Sequence, residues 1–202
     1  MVEYTGRGDP LQSISLLWGT ATKTSRSGLT LDAVIDAGIT LAGNTGIENL
    51  SMRKLADHLG VATMSLYAHV PSKAELIDLM VDRVNGKTYE NSEELPHGTP
   101  WRKAVEAVAE RNWQLFSRYR WLLHVDESRP SLGPGTITKY DTELRALIGI
   151  GLNDIEVDQV LALVLQHVKS AARLSLGAAE TNQETGGSDG EWWARAAPML
   201  AA

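Results

Sequence analysis

An all-helical fold is predicted by three observations. Apolar residues recur at helical spacing from Leu29 onward, no segment alternates long enough to build a sheet, and clusters of glycine, proline and polar residues cut the chain into helix-sized pieces. The expected architecture is all-α: an N-terminal three-helix unit holding a helix-turn-helix, a connecting helix, and a C-terminal helical domain. With 202 residues, 43% hydrophobic and 22% charged, the chain can bury a substantial core and reads as globular.

Residues 1–28 form an extension. Its 11–19 stretch holds Leu11, Ile14, Leu17 and Trp18, and its 20–28 stretch, with Lys23 and Arg26, has the composition of a flexible basic arm. Helical periodicity then puts Leu31, Val34, Ile35, Gly38, Ile39 and Ala42 on one face behind an N-cap at Thr30, and Gly43, Asn44 and Gly46 stop that helix. Ser51 is the N-cap expected for the next. Ser72 and Glu75 have the spacing of a capping box and open a helix through Leu76, Ile77, Leu79, Met80 and Val84. Residues 85–99 are rich in polar and turn-forming types, which predicts three parts: the extension 1–28, a first unit 29–85 and a second unit 86–202.

In the second unit, Thr99 and Pro100 make a favourable start for a helix running through Trp113 and Phe116. A short helix is expected at Trp121-Leu122-Leu123. After the break at Pro130, Gly133, Pro134 and Gly135 comes another through Tyr140, Leu144, Leu147 and Ile148. Asn153 and Glu156 then cap a helix over 154–179 whose apolar residues exceed one stripe, so burial on more than one side is expected, at the centre of the unit. Residues 181–190 read as a loop and the remainder as a last helix.

Several classes of function are excluded. The net charge of −6 argues against coating nucleic acid nonspecifically, so any DNA contact must be local. No apolar run is long enough to cross a bilayer, and the first residues lack the order of a signal peptide. The absence of cysteine removes disulfides and thiolate metal sites and suits the cytoplasm. No phosphate loop, dinucleotide fingerprint or HExxH pattern is present, and His58 and His69 fall on opposed elements, so neither an enzyme nor a metal or other cofactor is expected.

What remains is the segment 51–70. A helix-turn-helix needs a small residue where the helices meet, a glycine for a left-handed turn, and apolar residues to clamp the pair. Ala56, Gly60, and Leu55, Leu59, Val61 and Leu66 supply these in register, with Tyr67 and Val70 closing the far end. The second helix, about 62–69, would enter a major groove with Thr63, Met64, Ser65, Ala68 and His69 exposed, while Arg53 has the fork to hold a guanine and Tyr67 and Lys73 are placed for phosphate. Tyr67 reads equally well as a core residue with its hydroxyl at the surface, and His69 reads better as a polar helix end than as a base reader. Between Leu29 and Glu90 there are 5 Lys/Arg against 8 Asp/Glu, so the expectation is a small basic face on an acidic body.

The stretch LTLDAVIDAGITLAGNTGIENLSMRKLADHLGVATMSLYAHVPSKAELIDLM resembles the DNA-binding domain and connecting helix of the tetracycline-repressor (TetR) family, and RYRWLL with SRPSLGP is similar to that family's tetracycline-repressor-type C-terminal domain. The resemblance implies a homodimer on a palindromic operator, a ligand pocket in the second domain, and DNA contacts from Arg53, Thr63, Ser65, Tyr67, His69 and Lys73. It also implies that the last helix builds the dimer interface with the 154–179 helix. A small apolar or aromatic effector would be met by Trp113, Phe116, Tyr119, Trp121, His124, Tyr140 and His167, each of which could instead be core packing. The reading is a transcriptional repressor released by its effector. A DNA-binding regulator without effector and a small helical lipid- or drug-binding protein are the alternatives.

Overall fold

The structure is a computed structural model that describes residues 3–19, 29–89, 99–185 and 188–200. Nine α-helices lie among the described residues: α1 (Pro10–Leu17), α2 (Leu31–Thr45), α3 (Met52–Leu59), α4 (Thr63–Tyr67), α5 (Lys73–Gly86), α6 (Trp101–Arg118), α7 (Pro134–Leu144), α8 (Asp154–Thr185) and α9 (Asp189–Leu200). Short 3-10 turns occupy Ile47–Asn49 and Arg120–His124. The predicted basic arm, with Lys23 and Arg26, lies outside the described residues.

Local chemistry sets the helix ends. The Thr30 side chain accepts from Ala33 N at 3.1 Å, and that of Ser51 from Lys54 N at 3.2 Å. Asn153 makes a full capping box: its side chain accepts from Glu156 N at 3.1 Å while its own N–H donates to Glu156 Oε2 at 2.8 Å. Ser72 departs from that pattern. It caps Ala74 N at 3.0 Å, but the Glu75 carboxylate turns away from the Ser72 backbone to the Ser72 hydroxyl and to Asp9 N. The N-terminal extension has taken the acceptor that a capping box would use.

That extension packs on the body. Residues Glu3–Tyr4 (β1) and Val125–Asp126 (β2) form a two-residue parallel ladder, a pairing too short to leave an alternating pattern in sequence. Beyond it, α1 lies against α5 and Trp18 Nε1 donates to Leu132 O at 2.9 Å.

α5 is the centre of the molecule, with α1, α2 and α7 around it and every residue from Glu75 to Asp82 buried. The expectation that the 154–179 helix is buried on more than one side is corrected. α8 buries Val157, Leu161, Val168 and Ala172 against its neighbours, α6 above all, and leaves Leu163 70% and Leu174 73% exposed. Its predicted end is also corrected, because the helix continues through 181–185 to Thr185, where Gln183 and Glu184 are adequate helix formers.

One apolar core runs from Val34, Leu55, Leu66 and Met80 through Phe116, Trp121 and Leu122 to Val168 and Ala172. A smaller one gathers Ala104, Val108, Leu147 and Leu161. The two sequence units therefore meet without a polar gap. At their junction the Asp82 carboxylate of α5 accepts from Thr136 N at 2.8 Å and Gly135 N at 3.2 Å, capping α7 from another helix. Gly135 is required there, since a Cβ would overlap the Asp82 carbonyl oxygen.

Candidate DNA-reading surface and internal cavity

The turn between α3 and α4 rests on Gly60, whose φ of 68° and ψ of 30° are left-handed. A Cβ there would meet nothing within 4 Å, so glycine serves the backbone angle and not a close approach. Val61 N donates to Ala56 O at 3.0 Å, which turns the chain into α4. Ala56, Leu55, Leu66 and Val70 are fully enclosed, with Leu59 and Val61 packed against them. The predicted clamp is in place.

α4 is five residues long, shorter than the 62–69 expected, because the chain leaves the helix after Tyr67 and turns through Ala68 and His69. One edge stays open. Met64 is 76% and Tyr67 41% exposed, while Thr63 and Ser65 are half-buried at its sides. Tyr67 is not enclosed as its neighbours Leu66 and Val70 are. Arg53 and Lys54 are exposed on α3, and among the described residues neither is held in an ion pair.

Two predicted contacts are placed differently. His69 is only 9% exposed, with Nε2 enclosed and without a hydrogen-bond partner among the described residues, so it does not reach the open edge. The turn after α4 folds its side chain inward next to buried Val70. Lys73 stands at the start of α5, where its Nζ pairs with Glu3 Oε1 at 2.7 Å and donates to Ile47 O at 3.1 Å. Arg83 pairs with Asp32 and Asp36, so that cation ties α5 to α2.

A cleft of about 720 Å³ opens among α6, α7, α8 and the segment 122–130, with Asn85 of α5 and Tyr4 of the extension also in its wall. This is a volume suited to a drug-sized molecule. Of the seven residues expected to line it, Phe116 and Tyr140 do. The other five do not, which corrects that expectation. Trp121 is buried in the main core with Nε1 enclosed, Trp113 and Tyr119 pack on the same core, and His124 and His167 face outward. Aromatic and histidine side chains are good packing material wherever they fall, so residue type alone did not select the cleft.

Its wall is more polar than expected. Glu143, almost fully buried, accepts from Asn112 Nδ2 at 2.6 Å and Tyr89 OH at 3.1 Å, and pairs with Lys139 at 2.8 Å. At the rim Lys169 Nζ reaches Glu127 Oε1 and Val125 O, both at 2.8 Å, and Arg173 donates to Leu123 O. Tyr140 donates its hydroxyl to Asp158, and that bond, with burial and the neighbouring charge, pushes the phenol up to about 12. Asp126 is held below the usual carboxylate range by the Ser128 hydroxyl and Ser128 N–H. Sequence reasoning missed Asn112, Lys139 and Glu143. One signal was available: Asn112 lies four residues after Val108 and four before Phe116, a polar group on an apolar helix face.

Comparison with known proteins agrees with both halves. Residues 34–80 match the family described as "Bacterial regulatory proteins, tetR family", and residues 94–202 match "Tetracyclin repressor-like, C-terminal domain". The HTH-type transcriptional repressor DrrR1 of Streptomyces coeruleorubidus is 41% identical over 201 residues, 98% of this chain and 74% of that protein. The tetracycline repressor protein class E of Escherichia coli is 29% identical, over 85% of this chain and 77% of its own. Among solved structures, ActR of Streptomyces coelicolor in complex with (S)-DNPA superposes with a TM-score of 0.67 at 27% identity, covering 78% of this chain and 76% of that one. ActR in complex with actinorhodin gives 0.68 at 28%, covering 79% and 73%. With an exposed helix edge set on a left-handed glycine turn, a cleft-bearing second domain, and likeness across both, the chain belongs to the tetracycline-repressor family of bacterial regulatory proteins.

Proposed function

We propose that the protein is a transcriptional repressor that binds a palindromic operator as a homodimer and is released by a small-molecule effector. The observation that carries this reading is the joining of the open edge of α4 and the cleft of about 720 Å³ by one continuous core. Arg53, Thr63, Met64, Ser65 and Tyr67 are the DNA contacts: the guanidinium for a guanine, the hydroxyls and the methionine for base edges and thymine methyls, the phenol for phosphate. The bare faces of α8 (Ile155, Leu163, Leu174) and α9 (Trp192, Trp193, Met199, Leu200) fit a second copy of the chain, since exposed apolar area of that kind is costly in a lone monomer. The cytoplasm is the expected location.

The cleft favours an effector with aromatic faces and polar edges. Phe116 and Leu122 give flat apolar contact, while Asn112, Lys139 and Tyr140 can meet hydroxyl or carbonyl groups. Release would follow if the effector binds best a dimer whose two reading helices no longer fit successive grooves, by no more than its preference for that state. A mobility-shift assay on the DNA upstream of its own coding sequence, at stated salt, tests the reading. Specific retardation that aromatic hydroxylated compounds reverse is expected, and equal affinity for a scrambled duplex would overturn it.

A further inference from the structure

Residues 3–18 fasten the rim of the cleft to the first turns of α5. On the cleft side β1 pairs with β2, Thr5 N donates to Asp126 O at 3.0 Å, Thr5 Oγ1 donates to Arg129 O at 2.5 Å, and Trp18 Nε1 reaches Leu132 O. On the α5 side Gly6 N donates to Asp78 Oδ1 at 2.8 Å, Ser13 Oγ to Asp78 Oδ2 at 2.7 Å, and Asp9 N to Glu75 Oε1 at 3.0 Å. Both buried carboxylates take donors from this segment. At its start, adjacent residues face different partners: Tyr4 walls the cleft and Glu3 holds Lys73.

We propose that Glu3 is an internal competitor for DNA phosphate at Lys73, carried on a strap, residues 3–18, whose docking the cleft can sense through Tyr4. Lys73 opens α5, six residues after the end of α4, yet its charge is balanced from within the same chain. The Glu3 and Lys73 side chains are 13% and 25% exposed, so their attraction is only partly screened by solvent. A molecule in the cleft that packs on Tyr4 steadies β1 against β2, which keeps Glu3 on Lys73 and withholds one phosphate contact per subunit. By linkage, DNA that captures Lys73 loosens the strap and weakens binding in the cleft by the same factor. This rests on the DNA-binding reading above.

The test is the salt dependence of duplex binding for the full chain, which needs no effector. Each lysine that newly meets a phosphate steepens the fall of log K against log salt by about 0.9, or roughly 3.5-fold in affinity over a fourfold rise in salt. Glu3→Gln, which keeps the shape of the side chain, is expected to bind tighter at low salt and to steepen the slope by that amount per subunit. Lys73→Ala should erase the gain in the Glu3→Gln background and change little in the native chain. Glu106→Gln, on exposed α6 surface, controls for loss of a negative charge anywhere. Ser13→Ala, which loosens the strap without a charge change, should shift the slope in the same direction by less. If Glu3→Gln leaves the slope where it was, or only matches Glu106→Gln, the competition is overturned. It is overturned too if Lys73→Ala lowers the slope equally with and without Glu3. Native protein without preference for any duplex would instead sink the repressor reading, which separates the two failures.

Discussion

α5 and α8 invert the order that hydropathy suggests. α8 carries more apolar residues, yet one of its faces is bare, whereas α5 places Glu75, Asp78 and Asp82 among its apolar residues and is enclosed. The difference lies in the neighbours. Each buried carboxylate of α5 meets backbone N–H groups, from Gly6 and Asp9 in the strap and from Gly135 and Thr136 at the head of α7, so its burial is compensated. The apolar residues of α8 meet α6 and, to a lesser extent, α7 and the 120–124 turn, and Leu163 and Leu174 are left uncovered. A buried helix is thus recognised by whether its polar groups find partners, and a bare apolar face by what the chain alone does not cover.

Substitutions at the two helices should separate accordingly. Met80→Ala on α5, where the side chain is wholly enclosed, is expected to cost about 2–5 kcal/mol in denaturant unfolding. Leu163→Ala on α8 should leave the fold's stability within about 0.5 kcal/mol in a monomeric state while weakening self-association seen by light scattering. Equal losses in folding at both positions, with no change in mass, would remove α8 as a dimer face. Asp82→Ala should come next, at about 1–2 kcal/mol, because it uncaps α7; Asp82→Asn should recover only part of that, since its amide keeps one acceptor oxygen for the two N–H donors of Gly135 and Thr136.

Smaller effects follow pH. Burial raises the Asp78 carboxyl above its ordinary 3.8, against the hydrogen bonds from Gly6 and Ser13, and the charge of Glu75 adds to the rise. The folded chain therefore holds this proton more tightly than the unfolded one. Its contribution to stability is complete below 3.8 and is lost as pH rises through the folded value, so unfolding curves of Asp78→Asn should lack that part of the decline. The smallest signal is at Tyr140, whose phenol stays protonated up to about 12; Asp158→Asn should bring its ultraviolet titration back toward 10. An unchanged titration would dissociate Tyr140 from Asp158.

Much of the reading unit was legible because it is built from short-range rules. Ala56, Gly60 and Leu66 stand at fixed intervals, and the caps at Thr30, Ser51 and Asn153 act within three residues of themselves. His69 was misplaced because one turn of backbone after Tyr67 decides whether a helix-end side chain points out or in, and spacing does not carry that angle. Residues of the cleft were misjudged for a related reason. Selection by aromatic type found Phe116 and Tyr140, but Asn112, Lys139 and Glu143 become a polar wall only when α6 and α7 meet.

Helical class, the helix-turn-helix register and the capped helix starts follow from periodicities and hydrogen bonds that span a turn or two, and these are written locally in the order of residues. Tertiary packing alone decided that α5 and not α8 is enclosed, that Glu3 and not solvent or phosphate faces Lys73, and that a segment of residues 3–18 borders the cleft. Those outcomes depend on pairs such as Glu3 with Lys73 and Gly6 with Asp78, brought together across 70 and 72 positions of chain, where no local pattern records the partner.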